Sequence, residues 1–256
     1  MLTPKLSFSD STFDEAFELG YDTLQLKYDG WYTEHICVAG IDTVFSETGR
    51  ELGRWPIHHR IYGNFIAEYM FGTQWAQDPS RKGKVFLHDC YEFEGNTLRD
   101  VSYTNRYNAL LINRHLFPKN FEIITCVPLV NYHHVWDAYV VHDTYEGVIF
   151  RKSFGKLHEP VLREKLVITF DGRVVGFEPG KPEGKYANTL GALVVCTKAG
   201  KEIRIGGGFT DAQRDEIWHS PEKFIHRWCE GKCNRIFDSG AARHANFVRW
   251  REDKDS

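Results

Sequence analysis

Lys27 is the residue on which any chemistry in this chain turns. It sits in Leu24-Gln25-Leu26-Lys27-Tyr28-Asp29-Gly30, where Leu24, Leu26 and Tyr28 alternate ahead of an Asp-Gly turn. Alternation places Lys27 and Asp29 on one face of a short strand. A lysine beside a carboxylate forms a salt bridge without being a nucleophile. An amine of pKa about 10.4 is neutral in only about one molecule in a few thousand at pH 7. Burial, neighbouring cations or a metal ion would have to supply the activation. Asp29 works against it by favouring the ammonium form. A nucleophilic Lys27 therefore implies a substrate that brings positive charge with it, such as a polyphosphate with its Mg²⁺.

Other ionisable residues recur at the ends of apolar stretches. Phe65 to Phe71 is apolar except for Glu68, and Gly72 follows it. Val85-Phe86-Leu87-His88-Asp89 closes on an ionisable pair. Glu146-Gly147-Val148-Ile149-Phe150-Arg151-Lys152 begins with an acid and ends with two bases, and Leu162 to Ile168 puts Arg163 and Lys165 on one face. A carboxylate inside an apolar strand is costly unless it has a partner or a ligand. Separate strands that each deliver charge near an end are the layout for holding a nucleotide triphosphate and its metal.

The elements that must position these groups are short strands with few helices. Residues 9–20 read as a capped amphipathic helix ended by Gly20, and 97–113 as a second helix. Trp31 to Cys37 and Thr43 to Phe45 read as hairpin strands, followed by a turn at Ser46–Arg50. Phe121 to Val130 reads as one strand. Beyond about residue 168, Val174–Phe177, Leu193–Val195 and Ile203–Ile205 are short strands between Gly-, Pro- and Lys-rich turns, with a short helix over 211–217. That pattern is the size of a small closed β-barrel of the OB type. The fold class is α+β, with domains over 1–168 and 169–256.

At 256 residues the chain is long enough for two cores, with 42% hydrophobic and 14% aromatic content. The net charge of −3 argues against a strongly basic nucleic-acid binder. The charge is uneven, however: 14 Lys+Arg against 20 Asp+Glu over 1–154, and 18 against 15 over 155–256. The 6 cysteines include only one close pair, Cys229-x₃-Cys233, so free thiols in a reducing compartment are expected in preference to a zinc site. No run approaches the roughly 18 apolar residues of a membrane span, and Met1-Leu2-Thr3-Pro4 begins no signal peptide. A soluble, cytoplasmic protein is the expectation.

The ordered set Lys27-x-Asp-Gly, Glu68, Phe86-x-His-Asp, Glu146-Gly-x-x-x-Arg, Arg163-x-Lys165 resembles the covalent nucleotidyltransferases: ATP-dependent DNA ligases, RNA ligases and mRNA capping enzymes. Gly184-Lys185-Tyr186-Ala187, Gly191-Ala-Leu, Ile205-Gly-x-Gly-Phe209-Thr-Asp211 and Arg214 resemble the OB domain of small ATP-dependent DNA ligases. The tail Arg249-x-Arg251-x-Asp253-Lys254 is similar to their closing motif. The resemblance implies an adenylation domain of antiparallel sheets with flanking helices, then the OB domain. It also implies a monomer that seals nicks in duplex DNA with ATP and Mg²⁺, through AMP held covalently on Lys27.

By the same resemblance, Lys27, Asp29, Arg163 and Lys165 would be catalytic. Glu68 would hold the ribose, and Phe86 or His88 would stack on adenine beside Ile149. Glu146 and Asp29 would serve the metal, and Arg163 with Lys165 the α-phosphate. Arg251, Asp253 and Lys254 would orient the departing pyrophosphate. The chain departs from the family where Trp31 and Tyr32 follow Gly30, where Ser46-Glu47-Thr48-Gly49 replaces the usual Ser-Arg-x-Gly, and where Arg163 replaces a lysine. The first two departures touch 5′-phosphate recognition, which keeps an RNA or mixed RNA/DNA-joining ligase as the alternative. A capping enzyme would use GTP. A single-strand-binding OB module leaves residues 1–165 unexplained.

Overall fold

Thr23–Lys27 (β2) is the strand around which the N-terminal half is arranged. In the computed structural model, which describes residues 6–57, 61–70, 79–142, 145–237 and 239–254, the chain forms two compact units, Met1–Lys165 and Leu166–Ser256. The expected strand end at Phe71, the Gly72 turn and the Met1–Pro4 start lie outside the described residues.

In the first unit, Phe8–Asp10 (β1) precedes β2, which is followed by Trp31–Val38 (β3), Ile41–Ser46 (β4), Glu51–Pro56 (β5), Gly63–Tyr69 (β6), Val85–Phe93 (β7) and Asn96–Thr97 (β8). Phe121–Ile123 (β9), Cys126–Pro128 (β10), Gly147–Arg151 (β11) and Val161–Lys165 (β12) complete the set. They make two sheets. One has the order β1-β12-β11-β2-β10, and the other runs β5-β4-β3-β6-β7-β8 with β9 paired to β7. Ile66 and Tyr91 of the second sheet pack on Ile149 and Val161 of the first, in a cluster with Leu6 and Leu157. On the opposite face of the second sheet a larger core gathers Phe65, Ala67, Val85 and Leu87 against Leu110, Phe117 and Phe121.

Three expectations are corrected here. The helix read over 9–20 is only Phe13–Glu18 (α1), started by a capping box at Thr12. Residues 8–10 instead form β1, whose backbone pairs in parallel with β12. The second helix is Tyr103–Ile112 (α2), capped by the Ser102 side chain. The single strand read over 121–130 is two strands in different sheets, because the chain leaves β7 after Ile123 and joins β2 at Cys126.

The second unit has Ile168–Pro179 (β13), Leu190–Thr197 (β14), Glu202–Ile205 (β15), Trp228–Cys233 (β16), Arg235–Ile236 (β17), Ala242–Arg243 (β18) and Asn246–Trp250 (β19). Its sheet order is β15-β14-β13-β16-β19. The core is Val174, Leu193, Val195, Ile203 and Ile205, covered by Ile217 of the helix Asp211–His219. The barrel is not a continuously laddered ring. Its edges meet at one bridge, Gly207 to Asn246, where the Phe247 amide donates to the Gly207 carbonyl at 2.9 Å. The motif residues of this unit find one another. Buried Arg214 donates to the Leu190 and Gly206 carbonyls, each at 2.7 Å, and lies over the Tyr186 ring. Lys185 pairs with Asp211 at 2.8 Å.

Candidate functional site

Register alone brings the central residues together. Gly147, the first residue of β11, stands opposite Lys27 of β2 on one side and Lys165 of β12 on the other. Glu146 therefore enters the sheet between two lysines that end their own strands. Its Oε2 lies 2.6 Å from Lys27 Nζ and its Oε1 2.7 Å from Lys165 Nζ. Burial pushes the Glu146 carboxyl up, but the two ammonium groups outweigh it and hold the pKa down to about 2. Gly147 is what lets the strands close. A Cβ there would lie 1.9 Å from the Glu164 carbonyl oxygen and 2.8 Å from Lys165 Cα. The same alternation carries a second row, Gln25, Ile149 and Arg163, across the three strands.

Arg163 Nε pairs with Asp10 Oδ1 at 2.6 Å, directly across the β1–β12 register. Of the two basic residues read together on β12, Lys165 is the one at the Glu146 carboxylate. Asp29 is half-buried in the loop after β2, since the strand ends at Lys27 and does not carry on through Tyr28. Glu68, on β6, accepts from the Gly30 amide at 2.9 Å, so it ties the Lys27-x-Asp-Gly loop to the second sheet. Gly30 is pressed against it, with only 2.8 Å between a notional Cβ and Glu68 Cγ.

His88 is the extra residue of a bulge on β7, where the ladder steps from Ala67–Leu87 to Ile66–Asp89. Its Nε2 is 3.6 Å from Glu68 Oε2. Burial pushes its pKa below the usual histidine range, and Glu68 opposes the shift. Phe86, opposite Glu68 in the ladder, already has a ring against it: Tyr28 stacks on it at 3.9 Å and 22°. Tyr28 in turn meets Tyr145 edge-on at 4.9 Å, and the Arg81 guanidinium covers the Tyr145 ring at 4.2 Å.

One residue escaped the motif reading. Gln25 is wholly buried, yet neither end of its carboxamide makes a hydrogen bond within the protein. The Nδ1 of His88 is likewise buried without a partner. An unmet buried donor and acceptor cost free energy that a bound ligand can return. The signal in the sequence was position: Gln25 is two residues before Lys27, hence on its face of β2. A carboxamide offers one donor and one acceptor edge to a purine, and Lys27 and Lys165 supply two cations at adjoining strand ends. These residues fit a nucleotide.

Both Glu146 oxygens are engaged by ammonium groups, and among the described residues no group of three or more His, Cys, Asp or Glu side chains gathers with metal-holding geometry. All 6 cysteines are free, and Cys229 and Cys233 are buried.

The closing residues are engaged within the second unit. Arg251 Nη1 lies 2.7 Å from Asp171 Oδ1, and its Nε and Nη2 hold Asp253 at 2.9 and 2.8 Å. Lys254 Nζ is 2.6 Å from Asp171 Oδ2. The hydrogen bond from Arg251 holds the exposed Asp253 carboxyl down at about 2. No helix among the described residues is long and apolar enough to cross a membrane.

Residues 179–251 match the family model of the DNA ligase OB-like domain. No curated protein matches the chain in sequence. Among solved structures, the fold is similar to one from a structure–function study of Lig E DNA ligases, described as binding DNA with a minimal scaffold. That match has 17% identity and a TM-score of 0.70, over 98% of this chain and 100% of the other. A structure named Pmar-Lig_PreS3 matches at 18% identity and TM-score 0.63, over 96% of this chain and 67% of that one. The ligase domain of LigD from M. tuberculosis matches at 13% and 0.50, over 97% and 95%. In fold along its whole length the chain is similar to these DNA ligase structures, and its residues 179–251 belong to the DNA ligase OB-like family.

Proposed function

We propose that the chain is an ATP-dependent DNA ligase that seals nicks bearing a 5′-phosphate and a 3′-OH in duplex DNA. The observation that carries this reading is Glu146 held between Lys27 and Lys165 at three aligned strand ends, with the unpartnered Gln25 on the same face. Lys27 Nζ is the nucleophile, and Glu146 Oε2 fixes where its lone pair points. Lys165, on the other oxygen of that carboxylate, is the nearby cation that stabilises charge at the α-phosphate. The triphosphate would arrive with its Mg²⁺ as part of the substrate.

In the first step Nζ bonds to the α-phosphorus, the bond to the β,γ-diphosphate breaks, pyrophosphate leaves and Nζ loses its proton. In the second, an oxygen of the DNA 5′-phosphate attacks the same phosphorus, the P–N bond breaks and Lys27 is regenerated. In the third, the 3′-oxygen attacks the activated 5′-phosphorus and AMP departs. Each is an in-line displacement in which the protein supplies position and charge. Glu68 and Gln25 bind the nucleoside, Arg163 assists Lys165 at the α-phosphate, and the tail residues Arg251, Asp253 and Lys254 orient the departing pyrophosphate.

The test is one gel. ATP labelled on the α-phosphate should mark the protein covalently, each of the other labelled triphosphates less well, and Lys27→Ala should abolish the mark. A label that persists in Lys27→Ala sinks the assignment. Nicked duplexes with RNA on either side, run in parallel, separate a DNA-sealing enzyme from one that joins RNA-containing strands.

A further inference from the structure

We infer that Asp171 is a latch that holds the tail cations Arg251 and Lys254 until a triphosphate replaces it. Asp171 lies on β13, three residues into the strand that opens the second unit. One of its oxygens takes Arg251 at 2.7 Å and the other takes Lys254 at 2.6 Å. A single carboxylate thus occupies both cations of the closing motif. It does so in a partly exposed place, where Asp171 is 26% accessible and Lys254 equally so. The exchange of a carboxylate for a more highly charged phosphate there requires no unpacking of the core.

The charge around it balances. Arg249, Arg251 and Lys254 face Glu230, Asp171 and Asp253: Arg249 pairs with Glu230 at 2.9 Å, and Arg251 also approaches Glu230 at 3.7 Å. A cluster of three cations and three carboxylates has no net attraction for a polyanion. Arg251 and Lys254 become phosphate ligands only when their contacts to Asp171 are given up. Asp253 is different in kind, because it follows Arg251 by two residues and travels with it. Asp171 belongs to another strand and stays behind. It is therefore a positioning residue that sets how readily the tail is released. The bound anion in the resting tail is the protein's own carboxylate.

This inference rests on the proposed self-adenylation and on the tail's role in it. The experiment is single-turnover formation of lysyl-AMP from labelled ATP·Mg²⁺ with the full chain, comparing wild type, Asp171→Asn and Asp171→Glu. Sealing of a nick that already carries 5′-AMP and thermal unfolding are measured alongside. Asp171→Asn keeps the shape and removes the charge. The expected result is a KM for ATP·Mg²⁺ lowered about three- to tenfold, the scale expected when weak, solvent-exposed ion pairing no longer competes. Sealing of the pre-adenylated nick should not change, and Asp171→Glu should restore the wild-type KM. A KM that is unchanged or raised in Asp171→Asn, with label still formed, overturns the latch and leaves the ligase reading standing. An equal loss in both assays, with a lowered melting temperature, also overturns it, because Asp171 would then be a structural brace. If wild type itself takes no label, the proposed function fails first.

Discussion

Replacing Gly147 with alanine should damage the proposed chemistry far more than the fold. A Cβ at this position would stand 1.9 Å from the Glu164 carbonyl oxygen, whereas ordinary contact begins at 3.4 Å, so β11 and β12 must part by about 1.5 Å. That movement acts directly on Lys165, which is opposite Gly147 in the ladder and 2.7 Å from Glu146. Overpacking of this sort costs about 1–3 kcal/mol of stability. For a chain of this length that is a fall of roughly 2–12 °C in melting temperature. Misplacement of a reacting or charge-bearing group by about 1 Å costs on the order of a hundredfold in rate. Single-turnover labelling with ATP carrying an α-phosphate label, beside thermal unfolding, separates the two effects. We expect a folded Gly147→Ala protein that forms lysyl-AMP about a hundred times more slowly. Wild-type labelling in a protein of wild-type stability would refute the claim that strand closure at Gly147 sets the site.

Gln25→Leu should raise the melting temperature, because a buried unpartnered carboxamide costs about 1–3 kcal/mol, while raising the KM for ATP about three- to tenfold. A lower melting temperature with unchanged KM would show that Gln25 is a packing residue. Lys254→Ala should slow lysyl-AMP formation at least tenfold but leave sealing of a pre-adenylated nick intact, since no pyrophosphate leaves in that step; equal loss in both assays would make the tail structural. The pH dependence follows from Glu146. Its folded pKa of about 2 lies below the ordinary 4.5, so its stabilising contribution is whole above pH 4.5 and fades as the pH falls towards 2. Urea unfolding should therefore show a stability gap between wild type and Glu146→Gln that narrows across that range, and a gap independent of pH would contradict the double ion pair.

Lys27, Glu146 and Lys165 were legible because each stands at a strand end, where a charged residue interrupts an apolar run and can meet charges from neighbouring strands. Their mutual distances were not legible, for they depend on a register that only Gly147 permits. Gln25 was hidden for the opposite reason. A glutamine in an alternating strand reads as an outward-facing polar residue, and nothing local says that a second sheet covers it. His88 reads as a regular strand residue, yet a bulge turns it towards Glu68. The strand read over 121–130 failed because an apolar run carries no mark of which sheet each part joins. The Thr12 capping box was readable in place, but the expected helix began too early: Phe8–Asp10 pairs with β12, a partner some 150 residues distant that no local propensity reveals. The motif from Gly184 to Arg214 was recognisable as a string. Its physical reason, Arg214 holding the ends of two strands through their carbonyls, needed coordinates.

The order of the first sheet also has a consequence for how the protein is made. Phe8 pairs with Val161, and Lys27 with Gly147, so the sheet that bears Lys27 is closed by the most distant segments of its unit. Contacts of such long sequence separation demand loop closure before they return any stabilisation, and they slow folding. On a ribosome, β1 and β2 must wait for more than a hundred residues of later chain, while the second sheet has the hairpin of β3 and β4 to begin from. Lys27 would thus acquire both its carboxylate and its neighbouring cation at one moment, when β11 and β12 dock. A nascent chain stopped before residue 147 should carry the lysine and yet be unable to take up a nucleotide.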